Sequence, residues 1–211
     1  MDNNRITRNK KLAERVIAGL KSRQMEGFYA ENREEALAKA LEIIPEGAVV
    51  SWGGTMSAEE IGLKDALRQG NYKVIDREGA PKEQKRALEL EAYGCDYYIA
   101  SSNAVTEDGI LVNLDGNSNR VSAIAYGPSH VLMIIGMNKI VRDLDAALSR
   151  TRNEAAPINA QRFDIDTPCK KTGYCADCKS PDSICCNLLI TRLERHPDRI
   201  KVILVNDDLG Y

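Results

Sequence analysis

Short apolar segments alternate with helical patterns along most of this chain, and this alternation most constrains its fold. In the clearest unit, the apolar segment 48–52 runs into a glycine turn and then into a helix that ends at Gly70. A strand, a glycine turn and a helix in this order form the first half of a βαβ unit. Further apolar segments at 96–101 and 131–135 are also separated by helices. This pattern predicts an α/β fold with a doubly wound, mostly parallel sheet.

The composition indicates one domain without an obvious nucleic-acid or membrane partner. A chain of 211 residues can bury a hydrophobic core without the help of disulfide bonds or a structural metal, and we predict a single domain over 1–211. It opens with a helix over about residues 4–24, because Leu12, Val16 and Leu20 recur at helical spacing. A formal net charge of -2 does not favour nucleic-acid binding. No apolar run reaches the roughly 20 residues of a membrane helix, so we expect a cytoplasmic protein without membrane insertion.

Five of the six cysteines lie in one segment, which we predict to be a loop over about residues 167–187. Four of them follow the spacing C-x5-C-x2-C-x6-C, namely Cys169, Cys175, Cys178 and Cys185. The central C-x2-C pair has the usual spacing of a two-ligand metal knuckle. In a cytoplasmic protein clustered thiols stay reduced, so metal binding is the more usual role than a disulfide.

These four thiolates are therefore the predicted metal ligands. The expected group is an iron–sulfur cluster, of the [4Fe-4S] type, or a structural zinc ion. The spacing matches neither a standard zinc finger nor the compact ferredoxin pattern, so the sequence leaves the metal open. Cys186 is an alternative ligand to Cys185, or a core residue at the start of a strand.

A glycine loop follows the first buried strand and is a candidate anion site. Its candidate ligand-binding residues are Gly53, Gly54, Thr55 and Ser57. Backbone N–H groups and the helix dipole converge at such a strand-to-helix turn. Ser57 and Glu60 have the spacing of a capping box, which predicts that the helix begins at Ser57. The loop is neither a dinucleotide fingerprint nor a Walker loop, and a tight turn without a ligand is an equally good interpretation.

Polar segments after later strands supply the other candidates. Glu107 and Asp108 are adjacent carboxylates and are candidate catalytic acids, bases or nucleophiles, although Glu-Asp-Gly also forms a β-turn. Arg120 is a candidate clamp for a carboxylate or phosphate. The remaining candidate ligand-binding residues are Asn103, Asn119 and Lys139. Polar surface turns are the alternative interpretation of these segments.

Several motifs in the same order resemble those of the LUD (lactate utilisation) domain family. They are SWGGTMSAEEIG at 51–62, NAVTEDGILVNLDG at 103–116, NRVSAIAYGP at 119–128, GMNKIV at 136–141 and RIKVILV at 199–205. The resemblance covers the chain from about Glu14 onward. The cysteine-rich end is similar to that of stand-alone members of the family.

The resemblance implies a fold like that of the sugar-phosphate isomerase and CoA-transferase superfamily, with the polar segments around one cleft. It implies a role in organic-acid (lactate) utilisation beside iron–sulfur-containing partners. A flavin protein is the other redox partner that we consider. Our first hypothesis is a protein that binds a small anionic metabolite in the glycine-loop cleft and a metal at the cysteines. One alternative is a CoA- or sugar-phosphate-type transferase or isomerase, in which Glu107 is the nearest candidate for the attacking glutamate of CoA transferases by analogy of fold. The other is a non-catalytic redox-complex subunit.

Overall fold

The structure is a computed structural model that describes residues 2–211. Its helices are α1 (Asn3–Ser22), α2 (Arg33–Ile43), α3 (Met56–Glu60), α4 (Leu63–Gln69), α5 (Lys82–Glu91), α6 (Asn119–Ala125), α7 (Leu144–Arg150), α8 (Ala156–Ala160) and α9 (Pro168–Thr172). Its strands are β1 (Glu26–Ala30), β2 (Val49–Trp52), β3 (Lys73–Ile75), β4 (Tyr97–Ala100), β5 (Ala104–Thr106), β6 (Leu111–Asp115), β7 (His130–Gly136), β8 (Ile140–Val141), β9 (Asn187–Thr191) and β10 (Ile200–Val205). None of the helices in this part of the chain has the length and apolar character needed to span a bilayer.

The central sheet has six parallel strands in the order β1-β10-β7-β4-β2-β3. Helices cover both of its faces, and the side chains of β7 alternate between them. Val131, Met133 and Ile135 join the core formed with α1 and α6, whereas Leu132 and Ile134 join the core formed with α2, α3 and α4. Burial on both faces explains why these strands are continuous apolar runs in the sequence. The predicted α/β fold with a mostly parallel, helix-flanked sheet is confirmed.

A second sheet of four strands, in the order β8-β5-β6-β9, lies beside the carboxyl end of β4. Strand β6 runs antiparallel to both β5 and β9, and β8 runs parallel to β5. The sequence predicts strands near β6 and β9 but not this separate sheet. Its strands are short, and their pairing joins segments far apart in the chain, so local pattern does not show it.

The helix predicted to begin at Ser57 begins one residue earlier, at Met56, and is interrupted. Thr55 is the N-cap of α3, since its Oγ1 accepts a hydrogen bond from the backbone N–H of Ala58 at 3.3 Å. The prediction that Ser57 caps this helix is therefore wrong, because the Ser57 hydroxyl is buried and bonded elsewhere. Gly62, at φ +77°, separates α3 from α4 in a left-handed conformation that favours glycine.

The chain before Pro157 forms a wide helical turn. Helix α7 continues into a π-helical turn, Thr151–Ala155, and then into α8, where Pro157 lies in the first turn. Proline has no N–H to donate, so the regular α-helical ladder cannot continue through it. The end of α7 carries Arg150, whose guanidinium donates to the carbonyl oxygens of Asn138, at 3.1 Å, and of Asn103.

Candidate functional site

A cleft of about 460 Å³ opens at the carboxyl edge of the parallel sheet. The segments that follow β2, β4 and β7 form its floor, and the end of β6 with the start of α6 forms one wall. Residues 181–184 of the cysteine-rich segment also contribute to the lining. This is the edge at which open parallel sheets bind ligands, because the loops there converge on one crevice.

The structure brings most of the predicted ligand-binding residues to this cleft, which is lined by Gly54, Thr55, Asn103, Asn119, Arg120 and Lys139 among others. Gly53 and Ser57 lie behind it rather than in its lining. A Cβ at Gly53 would lie 2.9 Å from the Tyr98 hydroxyl and 3.0 Å from Arg120 Cγ, so glycine permits close packing there. Gly53 therefore has a structural reason to be glycine that does not involve a ligand.

Arg120 is buried, and each of its five side-chain N–H donors has a protein acceptor. Nε donates to Asp115, and the two terminal nitrogens donate at 2.9–3.1 Å to the Ser101 carbonyl, the Asn113 and Asn103 side chains and the Leu114 carbonyl. Asp115 is also its ion-pair partner at 2.8 Å. The anion clamp predicted for Arg120 thus has no free donor, and the guanidinium instead fixes the end of β6 against the end of β4.

Lys139 lies at the floor of the cleft, with only 2% of its surface exposed. Its Nζ donates to the hydroxyls of Ser57 and Ser101, at 3.1 Å each. Burial lowers the pKa of Lys139 to about 7, and the positive charges of Arg150 and Arg120 act in the same direction. With this pKa, both the neutral and the charged amine are populated near neutral pH. No carboxylate within residues 2–211 forms a salt bridge with Lys139.

The two serines at Lys139 differ in what else they contact. Their Oγ atoms are 3.3 Å apart. Ser57 is fully buried and donates to the Leu209 carbonyl at 3.3 Å, whereas Ser101 lines the cleft. Ser101 is not among the site residues predicted from the sequence. The sequence feature that could have identified Ser101 is its position directly after the apolar strand β4, at the edge of the sheet where ligands bind.

The rest of the lining is rich in basic side chains. Besides Lys139 and Arg120 it contains Arg77 and Arg162, against the two carboxylates of Asp115 and Asp182. Arg162 stacks on aromatic rings, 5.6 Å from that of Phe163 and 6.0 Å from that of Tyr211, and has no carboxylate partner among the described residues. Arg77 pairs with Glu89 at 3.0 Å, but its buried Nε has no hydrogen-bond partner in the same residues. Since Asp115 is neutralised by Arg120, the cleft has an excess of positive charge.

The predicted catalytic pair, Glu107 and Asp108, does not line this cleft. Both lie in the turn between β5 and β6 and bind helix α1. Glu107 pairs with Arg15 at 2.6 Å, and Asp108 pairs with Arg23. A hydrogen bond from Thr106, together with Arg23, lowers the pKa of Asp108. These contacts give both carboxylates a role in attaching α1 to the second sheet.

The cysteine-rich segment carries five free thiols that differ in burial. Cys169 is buried on α9, while Cys175 and Cys178 are half-buried. Cys185 is exposed as a whole residue, yet burial of its thiol raises the pKa of Cys185 to about 11. Negative charge on the other cysteines of the segment adds to this rise.

The thiols of this segment have the right chemistry for a soft metal, but they do not form a complete set of metal ligands in the structure. Within residues 2–211, no three side chains of His, Cys, Asp or Glu converge closely enough to hold a metal ion. The metal expected at Cys169, Cys175, Cys178 and Cys185 therefore stays a prediction. The alternative ligand Cys186 donates from Sγ to the Ser183 carbonyl at 3.4 Å.

The cysteine-rich segment is attached directly to the cleft. The backbone N–H of Cys186 donates to the Asp115 carbonyl at 2.8 Å, and Asp115 is the ion-pair partner of Arg120. The cleft wall formed by residues 181–184 lies between Cys178 and Cys185 in the chain. The same segment therefore carries both cysteines and part of the cleft lining.

Comparison with known proteins identifies the family. The chain is similar in structure to a DUF162 family protein from Deinococcus radiodurans, with a TM-score of 0.54 at 12% sequence identity, over 94% of this chain and 98% of that one. At this identity the likeness shows the fold alone. A search of curated proteins finds no match. The family model of the LUD domain matches residues 13–205, which is most of the chain. The chain belongs to the LUD domain family.

Proposed function

We propose that the cleft binds a small organic anion and that the protein serves organic-acid (lactate) utilisation in the cytoplasm. The observation that carries this proposal is Lys139, a buried amine at the cleft floor without a carboxylate partner. A buried ammonium group without a counter-ion is costly, and a bound carboxylate would supply the missing charge. Arg162 adds a second cation free of carboxylate partners.

The size of the cleft sets the class of ligand. A cavity of about 460 Å³ lies within the range of small-molecule sites and accommodates a metabolite rather than a polymer. The lining mixes basic groups with the amides of Asn103 and Asn119, which suit a ligand with a carboxylate and a hydroxyl or keto oxygen. We therefore propose a small 2-hydroxy or 2-oxo acid as the ligand.

Thermal unfolding with matched ligands tests this proposal. Lactate and pyruvate should raise the melting temperature, whereas lactamide, which has the shape of lactate without its charge, should not. Arg162→Gln should weaken lactate binding by roughly tenfold, the usual effect of losing one charge-assisted hydrogen bond. Arg86→Gln, on the exposed side of α5, is the control and should bind as the wild type does. Equal stabilisation by lactate and lactamide would contradict an anion site.

We further propose that Cys169, Cys175, Cys178 and Cys185 bind an iron–sulfur cluster of the [4Fe-4S] type or a zinc ion, with Cys186 as the alternative fourth ligand. The presence of five free thiols in one short segment, residues 169–186, supports this proposal. A cluster would supply one-electron transfer to an iron–sulfur or flavin partner protein, whereas zinc would hold the cleft wall in place.

Metal analysis and an absorption spectrum of anaerobically purified protein test the metal proposal. Bound iron with a broad band at about 400 nm supports a cluster. Stoichiometric zinc without colour supports a structural ion. Free thiols with neither metal would contradict both forms of the proposal.

The transferase hypothesis based on Glu107 receives no support from this site. Glu107 pairs with Arg15 and lies outside the cleft lining. A substrate bound in the cleft would therefore not meet this carboxylate.

A further inference from the structure

Three polar atoms form a closed triangle at the floor of the cleft. Lys139 Nζ lies 3.1 Å from Ser57 Oγ and 3.1 Å from Ser101 Oγ, and the two hydroxyl oxygens lie 3.3 Å apart. A serine hydroxyl within hydrogen-bond reach of an amine is the geometry of an activated nucleophile and its base. Binding of an organic anion does not require this arrangement.

We propose that Ser101 is a nucleophile with Lys139 as its general base, and that the cleft performs acyl transfer on an ester or thioester of a small carboxylic acid. This activity goes beyond anion binding, because it requires a covalent step at Ser101. The substrate class follows from the nucleophile, since an alkoxide attacks an acyl carbon that carries a leaving group.

The surroundings of the two serines distinguish their roles. Ser101 lines the cleft and is 5% exposed, and the proposal requires this opening to give a bound substrate access to its Oγ. Ser57 is fully buried, and its hydroxyl donates to the Leu209 carbonyl. Ser57 accepts from Lys139 and is therefore a positioning residue that holds the amine against Ser101.

The charges around Lys139 favour its neutral form, which a base requires. Arg150 at the end of α7 and Arg120 on α6 both lower its pKa, while Glu60 on α3 acts in the opposite direction. The Glu60 carboxylate is bonded to the backbone N–H of Gly210, at 3.1 Å and 3.3 Å from its two oxygens. With a pKa of about 7, Lys139 has a large fraction of free amine under neutral conditions.

The proposed step conserves atoms and charge. Ser101 Oγ forms a bond to the acyl carbon, Lys139 Nζ takes the hydroxyl proton, and the bond from the acyl carbon to the leaving alcohol or thiol breaks. Lys139 then gives its proton to the leaving group. Water then attacks the acyl carbon of the acyl-serine while Lys139 Nζ takes a proton from it. The bond from the acyl carbon to Ser101 Oγ breaks, Lys139 returns the proton to Oγ, and the carboxylic acid is released.

A fluorophosphonate probe tests the proposal, because it reacts with activated serines and releases fluoride. We expect one adduct per chain, located at Ser101 by peptide mass spectrometry. The labelling rate should rise with pH through about 7 and then level off, following deprotonation of Lys139. Ser101→Ala should abolish labelling, and Lys139→Met should slow it by roughly 100-fold. Ser149→Ala, on the exposed side of α7, should label as the wild type does.

Two results would overturn the proposal. One is the absence of an adduct at Ser101, or an adduct at Ser102 or Ser183, which line the same cleft without contacting Lys139. The other is a wild-type labelling rate that does not change between pH 5 and pH 9. Both readouts use the wild-type protein, so the test remains decisive if a variant fails to fold. Neither depends on lactate binding, so failure of one proposal is distinguishable from failure of the other.

Discussion

At the scale of single residues, the site is built around a lysine, Lys139, whose burial does not stabilise the folded protein. Lys139 is almost fully enclosed, and its hydrogen bonds go to two neutral hydroxyls. A hydrophobic side chain of similar length would avoid the cost of burying an amine that must lose its proton or its hydration. The presence of lysine here is therefore best explained by the chemistry of the cleft.

Lys139→Met should stabilise the protein, most strongly at low pH. Folding lowers the pKa of Lys139 from 10.5 to about 7, so the unfolded chain binds more protons between these values. The free energy of unfolding of the wild type should consequently rise with pH across this window, and the variant should lack that rise. At pH 6 we expect a gain of about 1–3 kcal/mol in the variant. Denaturant unfolding at pH 6 and pH 9.5 measures it, with Lys82→Met as an exposed control.

Arg120→Met should have the opposite effect on stability. It would leave the Asp115 carboxylate buried without its partner and remove the hydrogen bonds that join β6 to β4. We expect a loss of about 3 kcal/mol in the free energy of unfolding, as for other broken buried ion pairs. Arg162→Gln should cost little, because Arg162 forms no ion pair in the described chain. Similar stabilities for these two variants would contradict the positioning role of Arg120.

At the scale of elements, the helix after the glycine loop shows where local pattern fails. A serine followed three residues later by glutamate predicts a cap at Ser57, but Thr55 provides it. The Ser57 hydroxyl instead accepts a hydrogen bond from Lys139, which is 82 residues away in the chain. No local sequence pattern predicts that contact. The interruption at Gly62 has a local signal, since glycine inside a helical pattern commonly marks a left-handed residue.

Gly62→Ala should destabilise the fold by about 1 kcal/mol, because alanine is strained at φ +77°. A Cβ there meets only Leu37 Cδ2 at 4.0 Å, so the cost is conformational rather than steric. Gly54→Ala is the matched control, since a Cβ at Gly54 meets nothing within 4 Å and its φ is not in the left-handed range. Thermal unfolding of both variants measures the difference, and equal melting temperatures would contradict the left-handed break.

At the scale of the whole molecule, the parallel sheet is predictable and the second sheet is not. Strands buried on both faces are continuous apolar runs, so β2, β4 and β7 are evident in the sequence. Their order then brings the glycine loop, Asn103 and Lys139 to one edge. The second sheet depends on pairing between β6 and β9, whose partners lie more than 70 positions apart. Glu107 and Asp108 lie in the turn between β5 and β6 of this sheet and pair with Arg15 and Arg23 instead of lining the cleft.

The most direct test of the anion site is a calorimetric titration of lactate at several pH values. Binding requires the charged form of Lys139, whose pKa in the free protein is about 7. The affinity should be highest below pH 7 and should fall as the pH rises above it, while lactamide should not bind at any pH. An affinity for lactate that is independent of pH, or equal binding of lactamide, would contradict a site organised around the Lys139 charge.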